Sequence, residues 1–208
     1  ANNDALTYTW EQIDAGVATQ PPSGTNTVGP LFRSVMPTAS PSRYFPRLST
    51  IVSGYNPAIV APTDVRAWEK LASGARDLNF SVLVRDNNPV GGQTGRDDVK
   101  LTVVNSAGPF VVTSQNTPGV VWTEGQSYAI TWDVANTTAA PVSTPNVTIL
   151  LSSDGGLTFP TVLVASAPNN GTYNYTVAGG LGNINNNARI MVKAVENVFL
   201  NVNSQNFT

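Results

Sequence analysis

The densest gathering of groups able to hold a cation is Asp86-Asn87-Asn88, followed across Pro89 to Arg96 by Asp97-Asp98. Ca²⁺ takes six to eight oxygens from carboxylates, amide carbonyls and backbone carbonyls, and a loop tying two adjacent strands can converge that many. Asp86, Asn88, Asp97 and Asp98 are the candidate calcium ligands, with Glu11 and Asp14 as the carboxylates placed to join them. The same residues have a second reading, in which Asp86 and Asp98 cap strand ends and pair with Arg85 and Arg96 while Asn and Gly serve the turn. The spacing fits no EF-hand.

Aromatic side chains are the second set with recognition chemistry. A flat exposed indole can stack on a sugar, but Trp10, Trp122 and Trp132 lie within alternating strand patterns, where core burial is the commoner role. Trp68 is the tryptophan whose surroundings the pattern leaves open. With Tyr44, Phe45 and Tyr55 it forms the candidate ligand-binding set.

Catalysis is hard to build here. The chain has no His and no Cys, which excludes zinc sites on imidazole or thiolate, Ser-His-Asp and Cys-His nucleophiles, haem ligation and disulfides within it. A glycosidase needs two facing carboxylates. Asp97 and Asp98 are adjacent, and neighbours on a strand point to opposite faces. No enzyme activity is expected of this chain.

The elements that must position these residues are strands. Of 208 residues 41% are hydrophobic and only 12% charged, against roughly 25% charged in an average domain. Asn, Thr, Ser, Val, Gly and Pro crowd the sequence, as many short strands joined by turns require. Leu6, Tyr8 and Trp10 alternate with Thr7, Thr9 and Glu11; Phe80, Val82 and Val84 repeat the pattern, and Val99, Leu101 and Val103 give a third strand. Between the last two lies a polar loop, Asp86 to Asp98. Short turns are expected around Arg47–Val52 and Asp64–Ala72. The latter reads either as two turns of helix capped by Asp64, with Val65, Trp68 and Leu71 on one face, or as an extended edge.

Nine acidic and nine basic residues fall between Ala1 and Asn105, but only four acidic and two basic after it. The break coincides with Asn105-Ser106-Ala107-Gly108-Pro109, which we take as a domain boundary. Beyond it, Phe110–Thr113, Val120–Thr123, Tyr128–Val134, Val147–Ser152, Phe159–Val164, Thr172–Val177, Arg189–Val195 and Val198–Val202 read as strands, with a hairpin turn at Asp154-Gly155-Gly156. The fold class is all-β, as two tandem Ig-like/cadherin-like β-sandwich domains: 1–105 with long loops, and 106–208. A net charge of −2 without a basic run argues against nucleic acid, and no apolar stretch of about 18 residues offers a membrane span. Sequons at Asn79, Asn136, Asn146, Asn170, Asn174 and Asn206 are the number that chance gives in so Asn- and Thr-rich a chain.

Particular runs carry a resemblance. Phe32-Arg33-Ser34, Pro37 to Ser49, Leu78-Asn79-Phe80, Val84-Arg85-Asp86-Asn87 and Arg96-Asp97-Asp98-Val99 are joined by Gly108-Pro109-Phe110, Ile130 to Thr137, Ile149 to Gly156 and Asn206-Phe207-Thr208. Together they resemble the non-catalytic region that follows the catalytic domain in bacterial reprolysin-like zinc metallopeptidases. The first half also resembles cadherin-like or PKD-like modules, with Asp86, Asn87 and Asp97 in similar places, and the second resembles immunoglobulin-like and fibronectin-like sandwiches. The resemblance implies a secreted or cell-surface parent, the catalytic domain of the same polypeptide as partner, and a protein or polysaccharide surface as a further one. The chain stops right after an apolar alternation and is expected to be a piece of something longer. The expected function is a non-catalytic accessory or spacer region; the alternative is a carbohydrate- or protein-binding adhesion module.

Overall fold

The computed structural model describes residues 4–54, 63–181 and 184–208. The fold is all-β, with antiparallel sheets, one short α-helix and one 3₁₀ turn among the described residues. It divides into two compact units, Ala1–Arg47 with Asn56–Asn105, and Leu48–Tyr55 with Ser106–Thr208. The division at Asn105 falls where the charge density drops. The boundary 1–105 needs one correction: the helix α1 (Leu48–Val52) belongs to the second unit.

In the first unit β1 (Thr7–Gln12), β2 (Arg76–Arg85) and β3 (Thr94–Val103) form one sheet in that order. The hairpin arms are longer than the alternation suggested, because Thr94 to Asp98 continue the ladder, pairing Arg85↔Thr94 through Ser81↔Asp98. An edge strand facing water tolerates charges, so apolar alternation under-reports its length. Leu31, Phe32, Leu78 and Phe80 make the core, with Trp10, Phe45, Leu101 and Val103 packed against it. Where a sandwich was expected for residues 1–105, the layer covering this sheet is loop, touching it or itself through isolated bridges at Tyr8↔Thr38 and Phe32↔Glu69.

Buried polar groups hold that loop. Gln12 Oε1 accepts the backbone N–H of Leu31 (2.7 Å) and Phe32 (3.2 Å), drawing two core residues onto β1. Arg76 donates to the carbonyls of Asn26 (2.8 Å) and Gly29 (2.9 Å). Arg43 donates to those of Trp10 (2.6 Å) and Arg33 (2.8 Å), and its guanidinium lies 4.3 Å from the centroid of the Phe45 ring. Arg43 and Arg47 both pair with Glu69, whose side chain is fully buried. The expected helix over Asp64–Ala72 is a single 3₁₀ turn, Val65–Trp68, capped by Asp64; Val65 and Leu71 are exposed and Ala67 is the buried residue.

The second unit is a two-layer sandwich. One sheet runs β10-β9-β6-β7 and the other β4-β5-β8, from β4 (Val111–Val112), β5 (Ser127–Asp133), β6 (Asn146–Ser152), β7 (Thr161–Pro168), β8 (Thr172–Thr176), β9 (Arg189–Ala194) and β10 (Leu200–Val202). Phe110, Val112, Ile130 and Trp132 face Val147, Ile149, Leu151, Ile190 and Val192 in one core. Of the expected strands, Val120–Thr123 is not one. It is tied to the chain's other end by Trp122 N to Thr208 O and Thr208 N to Val120 O. Helix α1 packs on β10, and Val52 Cγ2 would lie 2.7 Å from a Cβ at Gly156, whose φ of +92° also requires glycine.

Asp154 organises the β6–β7 hairpin as expected of its turn. It accepts Ser152 Oγ, Thr158 Oγ1 and the N–H groups of Leu157 and Thr158, between 2.6 and 3.0 Å. Desolvation acts to raise its pKa, but these hydrogen bonds outweigh it and hold the carboxyl at about 2. A depressed folded pKa gives stability that is present above the ordinary carboxylate value and lost as pH falls toward 2. Asp154→Asn is therefore expected to cost the second unit about 1 kcal/mol at neutral pH, discounted for exposure, with the cost shrinking as pH falls toward 2 and vanishing only below it. Urea melts across that range check it.

Candidate functional site

The sheet of the first unit has one polar face, and the strand registers decide which candidate residues share it. Glu11 pairs with Ser81 and Ser81 with Asp98, so these three stand in a row across β1, β2 and β3. The next rung sets Asn79 opposite Lys100, and the one after it Asp77 opposite Thr102 on alternate neighbours. Asp97 alternates to the opposite face, opposite Val82. Asp86 lies beyond the strand end, in the hairpin loop.

Asp14, Asp77, Asp86, Asp97 and Asp98 each have protein partners. Asp14 accepts both the backbone N–H (3.2 Å) and the side-chain amide (2.6 Å) of Asn79, accepts Gln12 Nε2, and lies 3.7 Å from Arg76. Asp98 receives a two-pronged pair from Arg96 at 2.9 and 2.8 Å, which, with a bond from Ser81, holds its carboxyl below the usual range. Asp77 is lowered by Thr102 and then by Lys100. Asp97 Oδ1 accepts the backbone N–H of Asp98 (2.9 Å). Asp86 Oδ1 accepts Asn88 N (3.2 Å) and Gln93 N (2.8 Å), closing the loop. The capping alternative is what the structure displays at Asp86, and the arginine alternative at Asp98; Arg85 turns instead to Thr9 Oγ1 (3.0 Å).

As a single calcium shell the six residues do not converge, because alternation separates Asp97 from Asp98 and the length of the hairpin separates Asp86 from both. Among the described residues no group of three or more Asp, Glu, His or Cys is placed to hold a metal ion. The polar cluster that does form at the loop includes one residue the sequence reading missed: Asn88 Nδ2 donates to Asp4 Oδ2 at 3.4 Å, and Asn87 Nδ2 to Ala5 O at 2.7 Å. Nothing in local pattern connects Asp4 to a loop some eighty residues later; only the β1–β2 register does.

What the sheet does assemble is an open groove of about 450 Å³ lined by Ile13, Asp14, Ala15, Asn79, Phe80, Asp98, Val99 and Lys100. Ile13 and Val99 expose 43% and 41% of their surface, so apolar contact is available between polar donors and acceptors. The aromatic candidates are placed elsewhere. Trp68 is half-buried and ends the 3₁₀ turn, with its carbonyl accepting Arg33 N (3.1 Å). Tyr44 is half-buried too, and burial raises its phenol pKa. Phe45, a candidate loop aromatic, is partly buried and packs against the core, 4.5 Å from Phe80 and 5.2 Å from Phe32 between ring centroids. Tyr55 lies outside the described residues.

Among the described residues no helix is long and apolar enough to cross a membrane. Comparison with protein-family models, with curated proteins and with solved structures finds no match for this chain.

Proposed function

We propose that the chain is a non-catalytic accessory region of a secreted or cell-surface protein, of the kind that positions the catalytic domain of a bacterial zinc metallopeptidase or contacts its substrate or surface. The observation that supports it is the use made of the carboxylates. Asp14, Asp64, Asp77, Asp98 and Glu69 are bound to arginine, lysine or amide donors, and Asp154 to its own turn. Such groups hold loops and strands together; a general acid or base needs a free face toward substrate. The purified chain is expected to hydrolyse neither peptide nor polysaccharide substrates. Reproducible turnover that Asp98→Asn or Asp14→Asn removed would refute the reading.

The binding-module alternative is favoured by the groove at Asn79 and Lys100, whose mixed polar and apolar lining suits a sugar or a short polar peptide. A glycan array read with the native chain and with Lys100→Ala separates a groove binder from a spacer.

Calcium enters this proposal at the hairpin, through Asp86 and Asn88 with Asp4, rather than through Asp97, Asp98, Glu11 or Asp14. A cation bound only by the folded chain adds about 2.7 kcal/mol at a hundredfold excess over its Kd. Millimolar calcium is then expected to raise the first unit's melting temperature, and Asp86→Ala to abolish that rise. Identical melts in calcium and in chelator would remove the metal from the proposal.

A further inference from the structure

We infer that the free edge of β3 pairs with β3 of a second copy of this chain, antiparallel and centred on Val99, to give a continuous six-stranded sheet. The sheet order β1-β2-β3 leaves β3 terminal, and none of its residues makes a backbone hydrogen bond outside its hairpin among the described residues. The bond from Asp86 N to Gln93 O (3.2 Å) fixes the alternation. Counting from it, Gly95, Asp97, Val99, Leu101 and Val103 turn their N–H and C=O groups to β2. Thr94, Arg96, Asp98, Lys100 and Thr102 turn theirs outward. A row of such groups from five residues of a ten-residue strand is a template for another strand.

Charge selects the occupant and the register. A two-fold axis normal to the sheet sets residues of equal parity opposite one another. With the axis at Val99, Asp98 faces Lys100 of the second copy twice over, Arg96 faces Thr102, and Val99, 41% exposed, meets its own copy. Moving the axis to Asp98 would oppose Asp98 to itself and Arg96 to Lys100; moving it to Asp97 would face Arg96 with Asp98 twice but oppose Asp97 to itself in the closely spaced central pair, whereas the Val99 register has no like-charged pair. Like charges directly opposite destabilise a ladder, and opposite charges support it. Asp97 acts as a guard, since its carboxylate occupies the outward N–H of Asp98 (2.9 Å) and must swing away on pairing. The interface is small, and the association transient.

Sedimentation equilibrium of the whole chain, up to about 1 mM, tests this, with circular dichroism confirming the fold of every variant. The native chain is expected to show a monomer–dimer equilibrium. K100E and D98K each place like charges at both symmetric positions and are expected to weaken it about tenfold or more. Asp97→Ala should strengthen it. In an equimolar mixture of K100E and D98K chains both cross-strand pairs are again of opposite charge, and a mixed dimer is expected. A native chain that stays monomeric, a dimer indifferent to K100E, or a mixture that fails to associate would each overturn the inference.

Discussion

Replacing Glu69 with alanine is expected to lower the stability of the first unit by about 3–5 kcal/mol, the largest single-residue effect outside its apolar core. The carboxylate is completely buried and pairs with Arg47 Nε at 3.1 Å and Arg43 Nη2 at 3.5 Å; it also accepts the backbone N–H of Arg47 at 3.1 Å. The Arg43 side chain is itself only 9% exposed, and burial already pulls its pKa down against the support that Glu69 gives. Without Glu69 a cation is left inside with only carbonyls and the Phe45 ring around it. The loop at Arg43–Arg47 would lose its tie to the extended chain at Glu69. In a domain of this size the melting temperature should fall by roughly 12 °C or more. The exposed pair Arg96–Asp98 is the control, where Asp98→Asn should change stability far less, because solvent screens it. Equal effects at the two sites would show that burial is not what makes Glu69 matter.

Trp132→Ala is expected to cost the second unit about 3–5 kcal/mol. The indole is 3% exposed in the core between the sheets. Its Nε1 donates to Asn169 Oδ1 at 2.8 Å, and the Asn169 amide donates in turn to Thr137 Oγ1 (2.9 Å) and Thr144 O (3.0 Å). Truncation thus opens a cavity and leaves a buried amide oxygen unpaired. Trp132→Phe keeps most of the volume and isolates the second effect, at about 1–3 kcal/mol. Chemical denaturation followed by tyrosine fluorescence reads both. If the phenylalanine variant were as stable as the native protein, the Asn169 network would have no energetic role.

The second unit was legible in the sequence because its information is local. Tyr128, Ile130 and Trp132 alternate as they pack, and seven of the eight strands expected there form, with ends shifted by a few residues. The first unit was less so, because its long loop is fixed by distant polar contacts that no periodicity encodes: Gln12 to Leu31, Arg76 to Gly29, Glu69 to Arg43. The six candidate calcium ligands are spread by a different cause, the geometry of the strands. Asp97 and Asp98 look like one cluster along the chain, yet strand alternation sends them to opposite faces, and the groove instead joins Asp98 to Asp14 and Asn79.

We propose that this chain serves a catalytic domain without being one. The most direct measurement is the mass and peptide map of the native polypeptide captured by an antibody to this chain, taken from both the medium and the cells of its source. Capture is expected from the medium or the cell surface, on a polypeptide that also contains a His-Glu-x-x-His zinc domain. Capture from the cell interior, or on a polypeptide with no catalytic domain, would contradict it.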